Sequence, residues 1–255
     1  MNKTILTYIL ILICSLSFSQ DKNCGPHGLG LENKRINIMD GKELTSPYNG
    51  IIHLKIKRLF SRSNLSTASF IKNDLIITAN HNVMCSPFIT RIEIFVNNKW
   101  IKLKKRNVRI YHYHQGIFHN RNKDIAIIKI KNVSVLEGLN ITNFNIKPYA
   151  SIPTNEKNDF HTTGFPSDRP NILVDKSGSS SEFVLDNSNN IIGYNNLYTC
   201  KGDSGAPLWY QSDNKFYLLG IHHGKKNIKK EQNTTMNSSI LITPQVEKWI
   251  FDKYN

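Results

Sequence analysis

The stretch TCKGDSGAP, Thr199 to Pro207, sets a serine between an aspartate and a glycine, with another glycine two places before it. Gly, Asp and Ser are also ordinary turn residues, so a polar turn would give the same letters. What distinguishes the two readings lies upstream. A serine hydroxyl is a weak nucleophile at neutral pH and needs a base to take its proton. Histidine titrates near working pH and suits that task. A carboxylate must then fix the imidazole's tautomer and stabilise the imidazolium. The chain supplies both groups in order: His81 closes the apolar run LIITANHNV, and Asp124 opens NKDIAIIKI.

The surrounding pattern is that of short strands. IIHLKI, SFIKNDLIITA, IEIFV, IAIIKI, FYLLGIHH and SSILIT are apolar or alternating, rich in β-branched and aromatic residues, and separated by Asn, Gly, Pro and Ser clusters. Such runs predict an all-β barrel or sandwich. The tail TPQVEKWIFDKY differs. Pro244 fits a first helical turn, and Val246, Trp249, Ile250 and Lys253 share one face, which predicts a short C-terminal helix.

His81 in TANH, Asp124 in DIA and Ser204 in GDSG together resemble the trypsin/chymotrypsin-like serine proteases. The resemblance runs from about residue 36 onward and includes the closing Trp249-Ile250 helix. It implies a two-lobed chymotrypsin-like double β-barrel with a short C-terminal helix. It implies a catalytic triad of His81, Asp124 and Ser204, with the N–H groups of Gly202 and Ser204 as oxyanion hole. Ala206 departs from the family, which usually has a second glycine there.

The same resemblance gives Asp203 a partner. In the family this aspartate pairs with an α-amine freed by proteolysis. INIMDGKEL looks like the family's mature start: IMDG places the new terminus at Ile38, whereas the basic pair Lys34-Arg35 places it at Ile36. The chain then divides into a signal peptide (1–19), a leader or propeptide (20–37) and a protease domain (38–255). Cys24 could tether the leader to the body.

Specificity is read from the same segment. Trypsin-like relatives carry an aspartate six residues before the nucleophile; here that position is Tyr198. Thr199, the segment GIHHGKK and TGFPSD resemble the glutamyl endopeptidase branch, which implies substrate contacts from Thr199 and His222, with Lys225 at the rim. A carboxylate entering a pocket wants a hydroxyl and a donating or cationic group. That branch usually has Asn where Asp203 stands, so this chain mixes the features of two branches.

Residues Ile5 to Ile13 form an apolar run too short to span a bilayer, followed by small Ser17 and Ser19: a signal peptide, and hence export. Once Cys14 leaves with it, Cys24, Cys85 and Cys200 allow at most one internal bridge. The glycine-rich, polar run from Gln20 to Arg35 reads as an unstructured leader. A net charge of +14 favours acidic partners such as a sulfated glycan or an anionic surface. KLKKR (Lys102–Arg106) and KKNIKK (Lys225–Lys230) read as solvated loops, without the interleaved aromatics of a single-strand nucleic-acid binder. No metal or cofactor motif is present in the sequence, and a monomer acting on protein or peptide substrates is expected. Asn64, Asn132 and Asn140 carry N-x-[ST] signals. The alternative reading is a catalytically silent protease-fold protein that binds acidic partners through its basic surface.

Overall fold

A computed structural model of the chain describes residues 24, 35–38, 44–59, 63–84, 86–114, 120–149, 159–179, 183–229 and 233–253. Cys85, the segment expected to be a signal peptide and most of the expected leader lie outside the described residues.

Two antiparallel sheets make up the molecule, as expected for a chymotrypsin-like double β-barrel. The first contains β2 (Ile51–Arg58), β3 (Asn64–Lys72), β4 (Leu75–Thr78), β5 (Ile89–Val96), β6 (Lys99–Leu103), β7 (Val108–His112) and β8 (Ala126–Ile130). Its order is β6-β5-β2-β3-β4-β8-β7. The second contains β1 (Arg35–Asn37), β9 (Asn145–Ile146), β10 (Asp159–Gly164), β11 (Val174–Ser179), β12 (Phe183–Asp186), β13 (Ile191–Tyr194), β14 (Pro207–Ser212), β15 (Lys215–Lys229) and β16 (Asn233–Leu241). Its order is β1-β11-β10-β14-β15-β16-β13-β12, with β9 parallel to β15.

Strand alternation sorts the apolar residues into separate cores. On β4, Ile76 faces the interior of the first barrel, while Leu75 and Ile77 face the seam between the lobes. On β8, Ile128 and Ile130 point inward and Ile127 points to the seam. The second barrel packs around Phe160, Ile192, Tyr194, Leu208 and Tyr210. The seam joins Ile51, Ile77 and Ile127 of one sheet to Phe165, Trp209 and Ile221 of the other.

The C-terminal helix α2 (Pro244–Phe251) follows the short α1 (Asn80–Val83), which carries His81. Thr243 caps α2 by accepting the Val246 N–H at 3.2 Å, Pro244 stands in the first turn, and Val246 and Ile250 are buried.

Two expectations change. The leader does not remain without structure as far as Arg35, because Arg35–Asn37 pairs with β11 in the register Arg35↔Lys176, Ile36↔Asp175 and Asn37↔Val174. The basic clusters are not simply loops. Lys102 and Leu103 end β6, and Lys225–Lys229 extends β15 against β16. Cross-strand hydrogen bonds order Lys102, Leu103 and Lys225–Lys229 despite their polarity, while Lys105 and Arg106 lie in a 3₁₀ turn. Among the described residues, no helix is long and apolar enough to cross a membrane.

Candidate active site

The site lies where the two sheets meet. The first lobe brings two of its residues. Asp124 follows a single 3₁₀ turn (Arg121–Lys123) and is fully buried just ahead of β8. It receives His81 twice: the His81 N–H donates to Oδ1 at 2.8 Å, and Nδ1 lies 2.6 Å from Oδ2. The Asn80 N–H also donates to the Asp124 carbonyl at 3.2 Å. One carboxylate thus fixes both the backbone and the ring of His81. Behind α1, buried Arg58 donates to the carbonyls of Asn82 (2.7 Å) and Met84 (3.1 Å). Burial lowers the Arg58 pKa to about 10, still far above neutrality.

The second lobe contributes the turn before β14. Asn82, next to His81, reaches across the seam and donates to the Ser204 carbonyl at 3.0 Å. The Thr67 N–H on β3 donates to the same carbonyl at 2.9 Å, and Thr67 Oγ1 donates to the Gly202 carbonyl at 2.8 Å. These bonds fix Ser204, 7% exposed, relative to the element that carries His81. Gly202 has φ +98°, and a Cβ there would collide with the Phe165 carbonyl. Gly205 has φ +90°, and a Cβ would meet the Thr67 carbonyl. Ala206 is buried and keeps ladder-like bonds: its N–H donates to the Asp203 carbonyl (2.8 Å) and its carbonyl accepts from the His222 N–H (2.9 Å).

Two peptide planes in this turn have a defined direction. The Lys201 carbonyl accepts from the Ser167 N–H at 2.6 Å, and the Asp203 carbonyl accepts from the Ala206 N–H at 2.8 Å. In a trans peptide the C=O and the next N–H point opposite ways. The amides of Gly202 and Ser204 therefore point away from those acceptor bonds.

With the two lobes, the seam and this turn in place, comparison is informative. The family model for Trypsin matches residues 39–250. The chain belongs to the trypsin family. No curated protein matches it. Membership makes this trypsin-family chain a serine peptidase in general, with protein or peptide substrates.

The remaining predicted residues fall around the turn. Asp203 is fully buried. Burial pushes its carboxyl up, opposed by the Lys176 ammonium and the Cys200 N–H. Lys176 Nζ, itself 2% exposed, sits 2.7 Å from Asp203 Oδ1, and the Cys200 N–H donates to Oδ2 at 2.8 Å. In the intact chain, then, the cation beside Asp203 is a side chain of β11. Neither Ile36 nor Ile38 is in that position. Ile36 is exposed on the edge strand, and the Ile38 N–H donates to the Leu173 carbonyl at 2.9 Å.

Thr199 is buried, and its neighbour Tyr198 packs with Cys200 against Cys24. Cys24 and Cys200 form a disulfide, so Cys24 is tethered beside Tyr198. The Arg35 guanidinium lies 4.6 Å above the Tyr198 ring and pairs with Asp168 at 2.7 Å. Lys225 Nζ donates to the Cys24 carbonyl at 3.4 Å.

His222 is buried rather than open at the pocket surface. Its Nδ1 lies 2.6 Å from the Tyr194 hydroxyl, which also lies 2.9 Å from Ser239 Oγ. Burial drives the His222 pKa well below its usual value, and the charges of His223 and Lys176 add to the shift. The ring is a neutral donor and acceptor, not a cation. His223 Nε2 lies 2.9 Å from Ser238 Oγ.

Arg58, Asn82, Thr67 and Lys176 were not predicted from the sequence. None stands in a motif. Their roles come from strand pairing and from bonds across the seam.

Proposed function

We propose that this chain is a secreted serine endopeptidase working through an acyl-enzyme. Ser204 attacks the scissile carbonyl carbon. His81 takes the serine proton and returns it to the leaving amine. Asp124 holds the His81 tautomer and stabilises the imidazolium. The amides of Gly202 and Ser204 bind the developing oxyanion. The observation that carries this reading is the double contact of His81 with buried Asp124, on an element whose next residue, Asn82, bonds the Ser204 carbonyl. Water then repeats the sequence on the acyl-enzyme.

The same reading includes a preference for Glu or Asp before the cut. Tyr198 removes the acid that would select Lys or Arg, Thr199 brings a hydroxyl, and Lys225 supplies positive charge at the rim. His222, neutral and bonded to Tyr194, orders the wall behind them.

The test is cleavage of a peptide library by the purified protein, with Ser204→Ala as control. Cuts after Glu or Asp that disappear in the control support both parts of the reading. Serine-dependent cuts after other residues keep the endopeptidase and remove the acidic preference. A folded protein that cuts nothing and takes up no active-site serine reagent leaves the silent, acidic-partner-binding alternative.

A further inference from the structure

We infer that Lys176 is a built-in counter-ion for Asp203, a positioning residue that sets the oxyanion turn in the uncut chain without a new α-amine. The inference rests on the endopeptidase reading above and concerns how its turn is held.

A fully buried carboxylate needs a partner close by, because desolvation of an unpaired charge is costly. Asp203 has one. Lys176 Nζ is at 2.7 Å, with the side chains 2% and 0% exposed. The second carboxylate oxygen takes the Cys200 N–H at 2.8 Å. The pair is therefore held on both oxygens, from β11 on one side and from its own turn on the other.

Strand register explains why the lysine is committed. Lys176 is opposite Thr162 on β10 and opposite Arg35 on β1. It is enclosed on both edges of β11. The Tyr194 hydroxyl, which burial keeps protonated, and the neutral His222 ring add no charge beside the pair, and the buried Arg35 guanidinium opposite Lys176 is itself paired with Asp168 at 2.7 Å. An α-amine entering beside Asp203 would meet a second cation in the same buried space. Either that like-charge contact would be paid in full, or Lys176 would have to leave a site in which Asp203 is its ion-pair partner.

The turn is already arranged as this requires. The Lys201 carbonyl is occupied by the Ser167 N–H and the Asp203 carbonyl by the Ala206 N–H, in a chain whose Arg35–Ile36 and Asn37–Ile38 bonds are intact. The following amides, Gly202 and Ser204, point the other way. Ile36 meanwhile remains exposed at 58%, in register with Asp175, and Ile38 is bonded to Leu173.

The experiment uses the full chain and a fluorophosphonate probe. Labelled molecules are weighed after reduction, because the Cys24–Cys200 disulfide would keep a cut leader attached. The expected result is that uncut molecules label at a rate within about tenfold of cut ones. Lys176→Met should lower the saturating rate of labelling on the order of 100-fold, the scale of a lost oxyanion donor, with the reagent's half-saturation concentration unchanged. Lys176→Arg should recover most of that rate. A merely structural lysine would not separate rate from affinity in this way.

Labelling confined to molecules beginning at Ile36 or Ile38 would overturn the inference, as would a Lys176→Met protein that labels like the parent. The uncut-chain arm needs no variant, so it decides the matter even if Lys176→Met fails to fold. If neither cut nor uncut parent labels, the endopeptidase reading has failed instead, and this inference falls with it.

Discussion

Asp203 and Ser204 are adjacent in one turn, yet the side chain of one faces a buried ammonium while the carbonyl of the other is bonded across the seam by Asn82 and Thr67. That division follows from the glycines on either side. Gly202 at φ +98° has the Phe165 carbonyl where a Cβ would sit. Gly202→Ala should therefore displace the turn and lower kcat on the order of 100-fold, measured on any peptide the parent cleaves. Asp124→Asn should leave the fold intact and reduce kcat by about 10⁴, the scale expected when the histidine is held in the wrong tautomer. A kcat within tenfold of the parent would remove Asp124 from its proposed role. At this scale the sequence was most informative. His81, Asp124 and Ser204 each stand in a local motif, because their chemistry constrains their immediate neighbours. Lys176 stands in VDKSGS, a polar run with no motif around it. Its burial depends on β1 and β10, distant segments that close over it.

The element that presents His81 is a single short helix, too short to be stable alone. Its support is external: Asp124 at its start, and Arg58 on the carbonyls of Asn82 and Met84 beyond its middle. Arg58→Leu should leave two buried acceptors without this donor, each costing about 1–3 kcal/mol. Equilibrium denaturation should register that loss, and kcat should fall with it because His81 loses its backing. A variant as stable and as active as the parent would show that α1 holds itself. The strands that were legible, such as β2, β4 and β8, carry continuous or alternating apolar residues. β10, β11 and the outer part of β15 were not legible. They are polar, and hydrogen bonds to neighbours in the sheet specify them rather than a hydrophobic face.

Across the whole molecule, several histidines are folded into places that favour the neutral ring. His53 is buried and stacks on Phe165 with centroids 4.7 Å apart. Burial, helped by the charge of Lys55, lowers its pKa to about 4. His112 and His222 are lowered for the same main reason, burial. The unfolded chain takes up protons near pH ~6.5, before the folded one does. Stability is therefore complete above that pH and is lost as pH falls toward about 4, the value to which His53 is lowered. His53 alone accounts for roughly 3 kcal/mol of this loss, at about 1.4 kcal/mol per pK unit. Thermal melts between pH 7 and pH 4 should show a falling midpoint, and His53→Phe should flatten the slope. A midpoint independent of pH would contradict these placements. The all-β class was legible from the strand runs and the two-lobed architecture only through the family resemblance, whereas the seam was not legible, because residues such as Asn82 and Thr67 reveal their partners only in three dimensions. The central claim, that Ser204 is a nucleophile activated by His81, is tested most directly by fluorophosphonate labelling with the adduct mapped by peptide mass. The account predicts one adduct, on Ser204, absent in Ser204→Ala and strongly slowed in His81→Ala. A folded parent that acquires no adduct, or acquires it elsewhere, would contradict it.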